Sequence, residues 1–246
     1  MTPTESFISH LIELRNRLLK IVLGFVLVFF GLFPFANKIY ALLAAPMLAK
    51  LPAGGHMIAT AVTTPFFVPM KVAMMAAFVI SLPHTLYQIW AFIAPGLYAH
   101  EKKLMVPVII ASCILFLTGM AFAYFAVFPV VFGFIVNSAP AGVAVMTDIS
   151  NYLDFVMTLF MAFGLAFQVP IAVVLIVHFG WVSIAQLKEV RSYVIVGAFI
   201  VGAIFTPPDI ISQFMLAVPL WLLFEAGIMV AQMTKPKSTK ENTIKA

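Results

Sequence analysis

Two carboxylates in basic surroundings stand out in a chain of 246 residues that carries only 9 acidic side chains. Glu13 lies in Ser9-His10-Leu11-Ile12-Glu13-Leu14-Arg15-Asn16-Arg17, and Glu101 sits between His100 and Lys102-Lys103. A carboxylate can accept two parallel N–H bonds from a guanidinium, a fork that an ammonium cannot match. Two carboxylates on one membrane face could therefore hold two guanidinium groups, with Trp90 and Phe92 as an apolar wall beside them. Each acid also has a blander reading. Glu13 is four residues from Arg17, and that helical spacing favours an ion pair along one helix. Glu101 reads equally as a solvated loop charge, and spacing alone does not bring it beside Glu13.

A second set of polar groups lies inside apolar runs: Gln168, Gln213 and Glu225. Such groups are costly in lipid unless paired or near water. Gln168 precedes Pro170, whose missing N–H frees a backbone carbonyl near the same level. Asp209, after Pro207-Pro208, fits a cap for the last helix. Other chemistries lack their residues. There is no Gly-rich phosphate loop, no HExxH and no GxSxG. His10, His56, His84, His100 and His178 have no metal-ligand spacing, and the 14 methionines are mostly singletons in apolar runs, which reads as packing. Cys113, the only cysteine, allows no intrachain disulfide. No catalytic residue, metal or cofactor is expected.

The elements that must position these residues are legible from composition. Hydrophobic residues make up 63% of the chain and charged residues 9%, whereas a soluble domain is about half apolar and about a quarter charged. That excludes a soluble enzyme, a disordered chain and a nucleic-acid binder. At about 20 residues per crossing, the chain fits about six spans: 18–35, 66–93, 104–136, 152–179, 192–205 and 210–231. The first is too long for a signal-peptide core and reads as a retained span. Residues 2–17 read as an amphipathic surface helix, opened by Thr2-Pro3-Thr4-Glu5, with Phe7, Ile8, Leu11, Leu14 and Leu18 on one stripe and His10, Glu13, Arg17 and Lys20 on another. Pro69 and Pro83 can kink the second span, Asp148 fits a cap before the fourth, and residues 181–191 read as a loop. The fifth span reaches only about 21 Å against a hydrocarbon core of about 30 Å. The turn at Thr206-Pro207-Pro208-Asp209 should then lie at or below the surface of an unperturbed bilayer, or the bilayer thins there. Residues 232–246 read as a basic, disordered tail, leaving one polytopic domain over 1–231. Only Lys38, Lys50 and Lys71 fall outside the segments that carry the remaining Lys and Arg, so both termini should be cytoplasmic.

Taken together, several stretches resemble the TatC family, the polytopic core of the twin-arginine protein translocase. They are His10-Leu11-Ile12-Glu13-Leu14-Arg15-Asn16-Arg17; Ala45-Pro46; Tyr87-Gln88-Ile89-Trp90-Ala91-Phe92-Ile93-Ala94-Pro95-Gly96-Leu97-Tyr98 followed by His100-Glu101; Gly119-Met120-Ala121-Phe122-Ala123-Tyr124-Phe125; and Val196-Gly197-Ala198-Phe199 leading to Thr206-Pro207-Pro208-Asp209. The resemblance covers almost all of residues 5–232. It implies an all-α membrane protein of six helices in a concave cup, in the bacterial cytoplasmic membrane. By that likeness it receives folded cargo bearing Arg-Arg signal peptides, and export is driven by the proton-motive force. Glu13 and Glu101 match the acids that contact the twin arginines, Phe92 the aromatic beside them, and Arg15 and Arg17 the neighbouring basic positions. Pro46, Phe66 and Asp209 match periplasmic positions. Thr206 and Gln213 are the polar candidates where the single-span partners TatA and TatB dock, in a hetero-oligomer of several copies. Many family members carry Glu where this chain has Gln168, which cannot ionise, and some relatives have Asp at the position of Ala61. The competing reading is a proton- or metal-coupled small-solute transporter, which lacks a charged midplane site here.

Overall fold

A lipid environment leaves backbone polar groups no partner outside their own element, so helices are the economical solution for an apolar chain. A computed structural model describes residues 3–49, 57–93, 105–137, 146–205 and 210–234. Among these, regular structure is helical apart from one bridge that pairs Ile58 with Asp148. The helices are α1 (Pro3–Leu32), α2 (Ala36–Leu48), α3 (Thr64–Ile93), α4 (Met105–Phe122), α5 (Phe128–Asn137), α6 (Ile149–Ala166), α7 (Val169–His178), α8 (Ile184–Glu189), α9 (Arg191–Phe205) and α10 (Ile210–Thr234). Five runs are long and apolar enough to cross a membrane: Ile8–Ala45, Thr64–Ile89, Val106–Ile135, Ile149–His178 and Ile210–Thr234; Arg191–Phe205 is apolar but shorter.

The chain divides into two units, Met1–Gly164 and Leu165–Ala246. In the first, α1 packs along α3. The sequence suggested a separate surface helix ahead of the first span, but α1 runs unbroken from Pro3 through Leu18 to Leu32. No proline or glycine falls between residues 4 and 23 to end it. Its apolar residues Leu11, Leu14, Leu18 and Leu23 are exposed, while Glu13 and Arg17 are half-buried. Glu13 and Arg17 of the polar stripe thus turn toward the protein, while His10, Lys20 and the leucines of the apolar stripe are exposed. A short 3₁₀ turn at Phe33–Phe35, containing Pro34, leads into α2.

Aromatic rings fill the core of this unit. Phe128 packs at a tilt on Phe160, with ring centroids 5.1 Å apart, and Phe132 likewise on Tyr152 at 5.2 Å. Phe116 lies so close to Gly164 that an added Cβ there would come within 2.5 Å of its ring. The α4–α5 run contains a π-helical turn, Ala123–Val127, which holds Tyr124. The Tyr124 hydroxyl donates to the Leu42 carbonyl at 2.8 Å, and Tyr152 donates to the Leu43 carbonyl at 2.6 Å. Leu42 is four residues before Pro46, which has no N–H to offer it, so the Tyr124 hydroxyl satisfies an acceptor that the proline orphans. Lys71 and Asp154 tie α3 to α6 at 2.6 Å.

In the second unit α7, α8 and α10 enclose Val173, Val177, Leu187, Phe224, Ile228 and Ala231. The backbone of α10 approaches α7 at Gly227, where a Cβ would lie 2.9 Å from the Pro170 Cα. The stretch read as a loop over 181–191 contains α8, held by a capping box in which Ser183 accepts from the Gln186 N–H and the Gln186 side chain accepts from the Ser183 N–H. The Ser-x-x-Gln spacing was present in the sequence. The segment expected as a short fifth span is the helix α9, with 15 residues.

Candidate functional site

The antiparallel packing of α1 on α3 lines up polar groups at successive turns. Residues 84, 88 and 92 are spaced by four on α3 and so share one face. Opposite them on α1, the Lys20 carbonyl accepts from His84 Nε2 at 3.1 Å, which fixes the proton on that nitrogen. Gly24 makes room for this ring; a Cβ there would lie 2.8 Å from His84 Cδ2. One turn further, Arg17 Nη1 donates to the Gln88 side-chain oxygen at 3.4 Å, and Gln88 is 6% exposed. At the end of the row His10 stacks on Phe92, with ring centroids 4.3 Å apart and an interplanar angle of 23°.

Glu13 sits within this row. Arg17 Nε and Nη2 donate to the same oxygen, Glu13 Oε1, at 3.0 and 2.7 Å. The pair is the i,i+4 arrangement the spacing favoured, with side chains 23% and 33% exposed for Arg17 and Glu13. A guanidinium is thus held edge-on against half of a carboxylate that still reaches solvent, with a stacked His10–Phe92 pair nearby on the same two helices.

The remaining expected residues are scattered. Arg15 is exposed and donates to the Asn16 side chain at 3.4 Å. Glu101, Thr206 and Asp209 lie outside the described residues, as does the side chain of Trp90. Pro46 lies in the last turns of α2, and Phe66 in the first turn of α3, where it is 62% exposed and meets Phe67 edge to face at 5.4 Å. Gln168 marks a break between α6 and α7 and is half-buried; its backbone carbonyl accepts from Ala172. The Gln213 amide donates to the Phe199 carbonyl at 3.0 Å, where Gly202 lets α9 and α10 approach. Glu225, an acid within a span, is answered by Arg191 at 2.6 Å.

Sequence reasoning missed His84 and Gln88 as partners in the α1–α3 row. Two polar residues four apart in an apolar span were the available signal. It also missed the second role of Asp148. As expected this residue caps α6, its Oδ1 accepting from the Ser150 and Asn151 N–H groups at 2.9 and 3.1 Å. Its Oδ2 accepts from the Thr60 hydroxyl at 2.7 Å and the Thr60 N–H at 3.0 Å. The Thr60 hydroxyl above all, with the N–H groups of Asn151, Thr60 and Ser150, lowers the carboxyl from its ordinary 3.8 to about 2.

The family model for Sec-independent protein translocase protein (TatC) matches residues 9–219. A protein of that name from Escherichia coli (strain K12) is 52% identical over 229 residues, 93% of this chain and 89% of its own length. One from Haemophilus influenzae is 52% identical over 234 residues, 95% and 91% respectively. A solved structure described as the twin arginine translocase receptor TatC superposes with a TM-score of 0.79 at 36% identity, covering 91% of this chain and 98% of that one. These likenesses favour a protein translocase component over a small-solute carrier.

Proposed function

The chain belongs to the TatC family of Sec-independent protein translocase components and is a multi-pass membrane protein; from that premise we propose that it is the receptor that binds Arg-Arg signal peptides of folded cargo at the α1–α3 end bearing Glu13. The observation that carries this reading is the Glu13 carboxylate, partly exposed and already engaged by a guanidinium at 2.7 Å. A group held in that way, beside the stacked His10–Phe92 pair, has the chemistry to take an incoming arginine. Glu101 supplies the second carboxylate, and Arg15 and Arg17 complete the rim.

The Lys and Arg distribution favours both termini and this site in the cytoplasm, with the five long runs and the shorter Arg191–Phe205 as six crossings of the bacterial cytoplasmic membrane. Pro46, Phe66 and Asp209 then lie toward the periplasm. The hairpin of α9 and α10, with Thr206 and Gln213, receives the single-span subunits TatA and TatB in a hetero-oligomer of several copies. Coupling to the proton-motive force runs through groups other than residue 168, since an amide does not titrate. The test is photocrosslinking of an Arg-Arg peptide with the probe beside the arginines. Adducts on residues 10–17 and 84–92 support the reading; adducts confined to α9 and α10 contradict it.

A further inference from the structure

The Glu13 site is not empty in the structure: its occupant is a guanidinium from the next turn of the same helix. Arg17 places two N–H groups on Glu13 Oε1, at 3.0 and 2.7 Å, and a third on Gln88 of α3 at 3.4 Å. Arg17 is the less exposed partner, at 23%, and its anchor on α3 makes it more than a surface pair along one helix. An arginine ligand that binds a carboxylate by the fork needs both oxygens, and one of them is taken. It must also approach a carboxylate whose charge is already neutralised by a cation within hydrogen-bond distance.

We propose that Arg17 is a resident internal ligand of Glu13, which an incoming guanidinium has to displace, so that Arg17 sets the affinity threshold of the site. The inference rests on the reading of Glu13 as a signal-peptide carboxylate and adds to it a competitor built into the chain. Displacement frees Arg17 from Glu13 but not from Gln88, so the released side chain keeps one anchor on α3. The nearest basic neighbours differ. Arg15 is bound to Asn16 rather than to Glu13, and Lys20 lies one turn further along α1 with its side chain exposed.

The test measures binding of a fluorescent peptide with adjacent arginines to the full chain in detergent. Arg17→Gln should tighten binding by about two- to tenfold, from the upper end of what an i,i+4 ion pair is worth to the lower end of a charge-assisted hydrogen bond. Lys20→Gln removes a positive charge from the same end of α1 without touching Glu13 and should change binding less than Arg17→Gln. Arg17→Lys keeps the charge but loses the planar edge, and should fall between wild type and Arg17→Gln; it serves as the main variant if the glutamine form unfolds early on heating. Weaker or unchanged binding by Arg17→Gln overturns the proposal, because an orienting role for Arg17 predicts loss. Equal tightening by Lys20→Gln also overturns it, because a general charge effect then suffices. Glu13→Gln separates the two layers. If it leaves wild-type binding intact, the assignment of Glu13 itself fails; if it weakens binding while Arg17→Gln does not tighten it, only the competitor role fails.

Discussion

Gly24 and Gly31 lie two turns apart on α1, and the same substitution should move stability in opposite directions at the two sites. A Cβ at Gly31 meets nothing within 4 Å. Gly31→Ala therefore keeps only the benefit of a better helix former, about 0.5–1 kcal/mol. A Cβ at Gly24 meets His84 Cδ2 at 2.8 Å and Nε2 at 3.0 Å. The imidazole must then move, and its hydrogen bond to the Lys20 carbonyl at 3.1 Å goes with it. Losing that bond costs about 0.5–1.5 kcal/mol, with repacking of the α1–α3 contact in addition, so Gly24→Ala should be destabilising by about 1 kcal/mol net. In a His84→Ala background the obstacle is gone and Gly24→Ala should become mildly stabilising. Chemical or thermal unfolding in detergent, followed by circular dichroism, gives the four values of this cycle. The coupling between positions 24 and 84 should be about 1–2 kcal/mol. The reasoning fails if Gly24→Ala stabilises wild type as Gly31→Ala does, or if its effect is the same with and without His84.

Other outcomes follow from the same contacts. Asp148 has its carboxyl lowered to about 2 from 3.8, so its clasp on Thr60 and the α6 start contributes fully above about pH 4 and is lost as pH falls toward 2. The Tm difference between wild type and Asp148→Asn should accordingly be constant from pH 7 to pH 4 and shrink below that, as read by scanning fluorimetry. Arg191→Leu and Glu225→Leu should each destabilise by about 1–3 kcal/mol because each leaves a charge unanswered, and the double variant should recover part of that loss in an unfolding cycle. Gln168→Leu should reduce export of a folded cargo while leaving peptide affinity within about twofold, since residue 168 is proposed to serve a later step; equal loss in both assays rejects that division.

Helix type was legible because lipid permits so few alternatives: an apolar run of about 20 residues can close its own hydrogen bonds only as a helix. The short fifth span and the cap at Asp148 followed from length and from one side chain. The break between α6 and α7 at Gln168 was not foreseen, the stretch 152–179 having been read as one span, although Pro170 was the available signal. Other features were hidden by the same physics. Residues 2–17 were read as a surface helix because the apolar stripe of α1 was given the membrane surface. The half-buried positions of this stretch are instead Glu13 and Arg17, and a stripe pattern does not say which side meets lipid and which meets protein. The Tyr124 and Tyr152 hydroxyls bond carbonyls some eighty and more positions away in sequence, a pairing that depends on how α2, the π turn and α6 come together. Glu13 was legible both as an i,i+4 partner of Arg17 and as a ligand carboxylate. The structure shows the pair, with both Arg17 donors on the same oxygen, Glu13 Oε1.

The central claim is that Glu13 and Glu101 bind the adjacent arginines of a signal peptide. Peptide binding to wild type, Glu13→Gln and Glu101→Gln, each in detergent at two salt concentrations, tests it most directly. A charge-assisted bond to an arginine in a partly exposed site is worth about 1.5–3 kcal/mol, so each variant should bind an Arg-Arg peptide roughly 10- to 150-fold more weakly. Each should lose less against a Lys-Lys peptide, which lacks the planar fork, and wild-type affinity should fall as salt rises. Wild-type affinity for the Arg-Arg peptide in both variants would contradict the account.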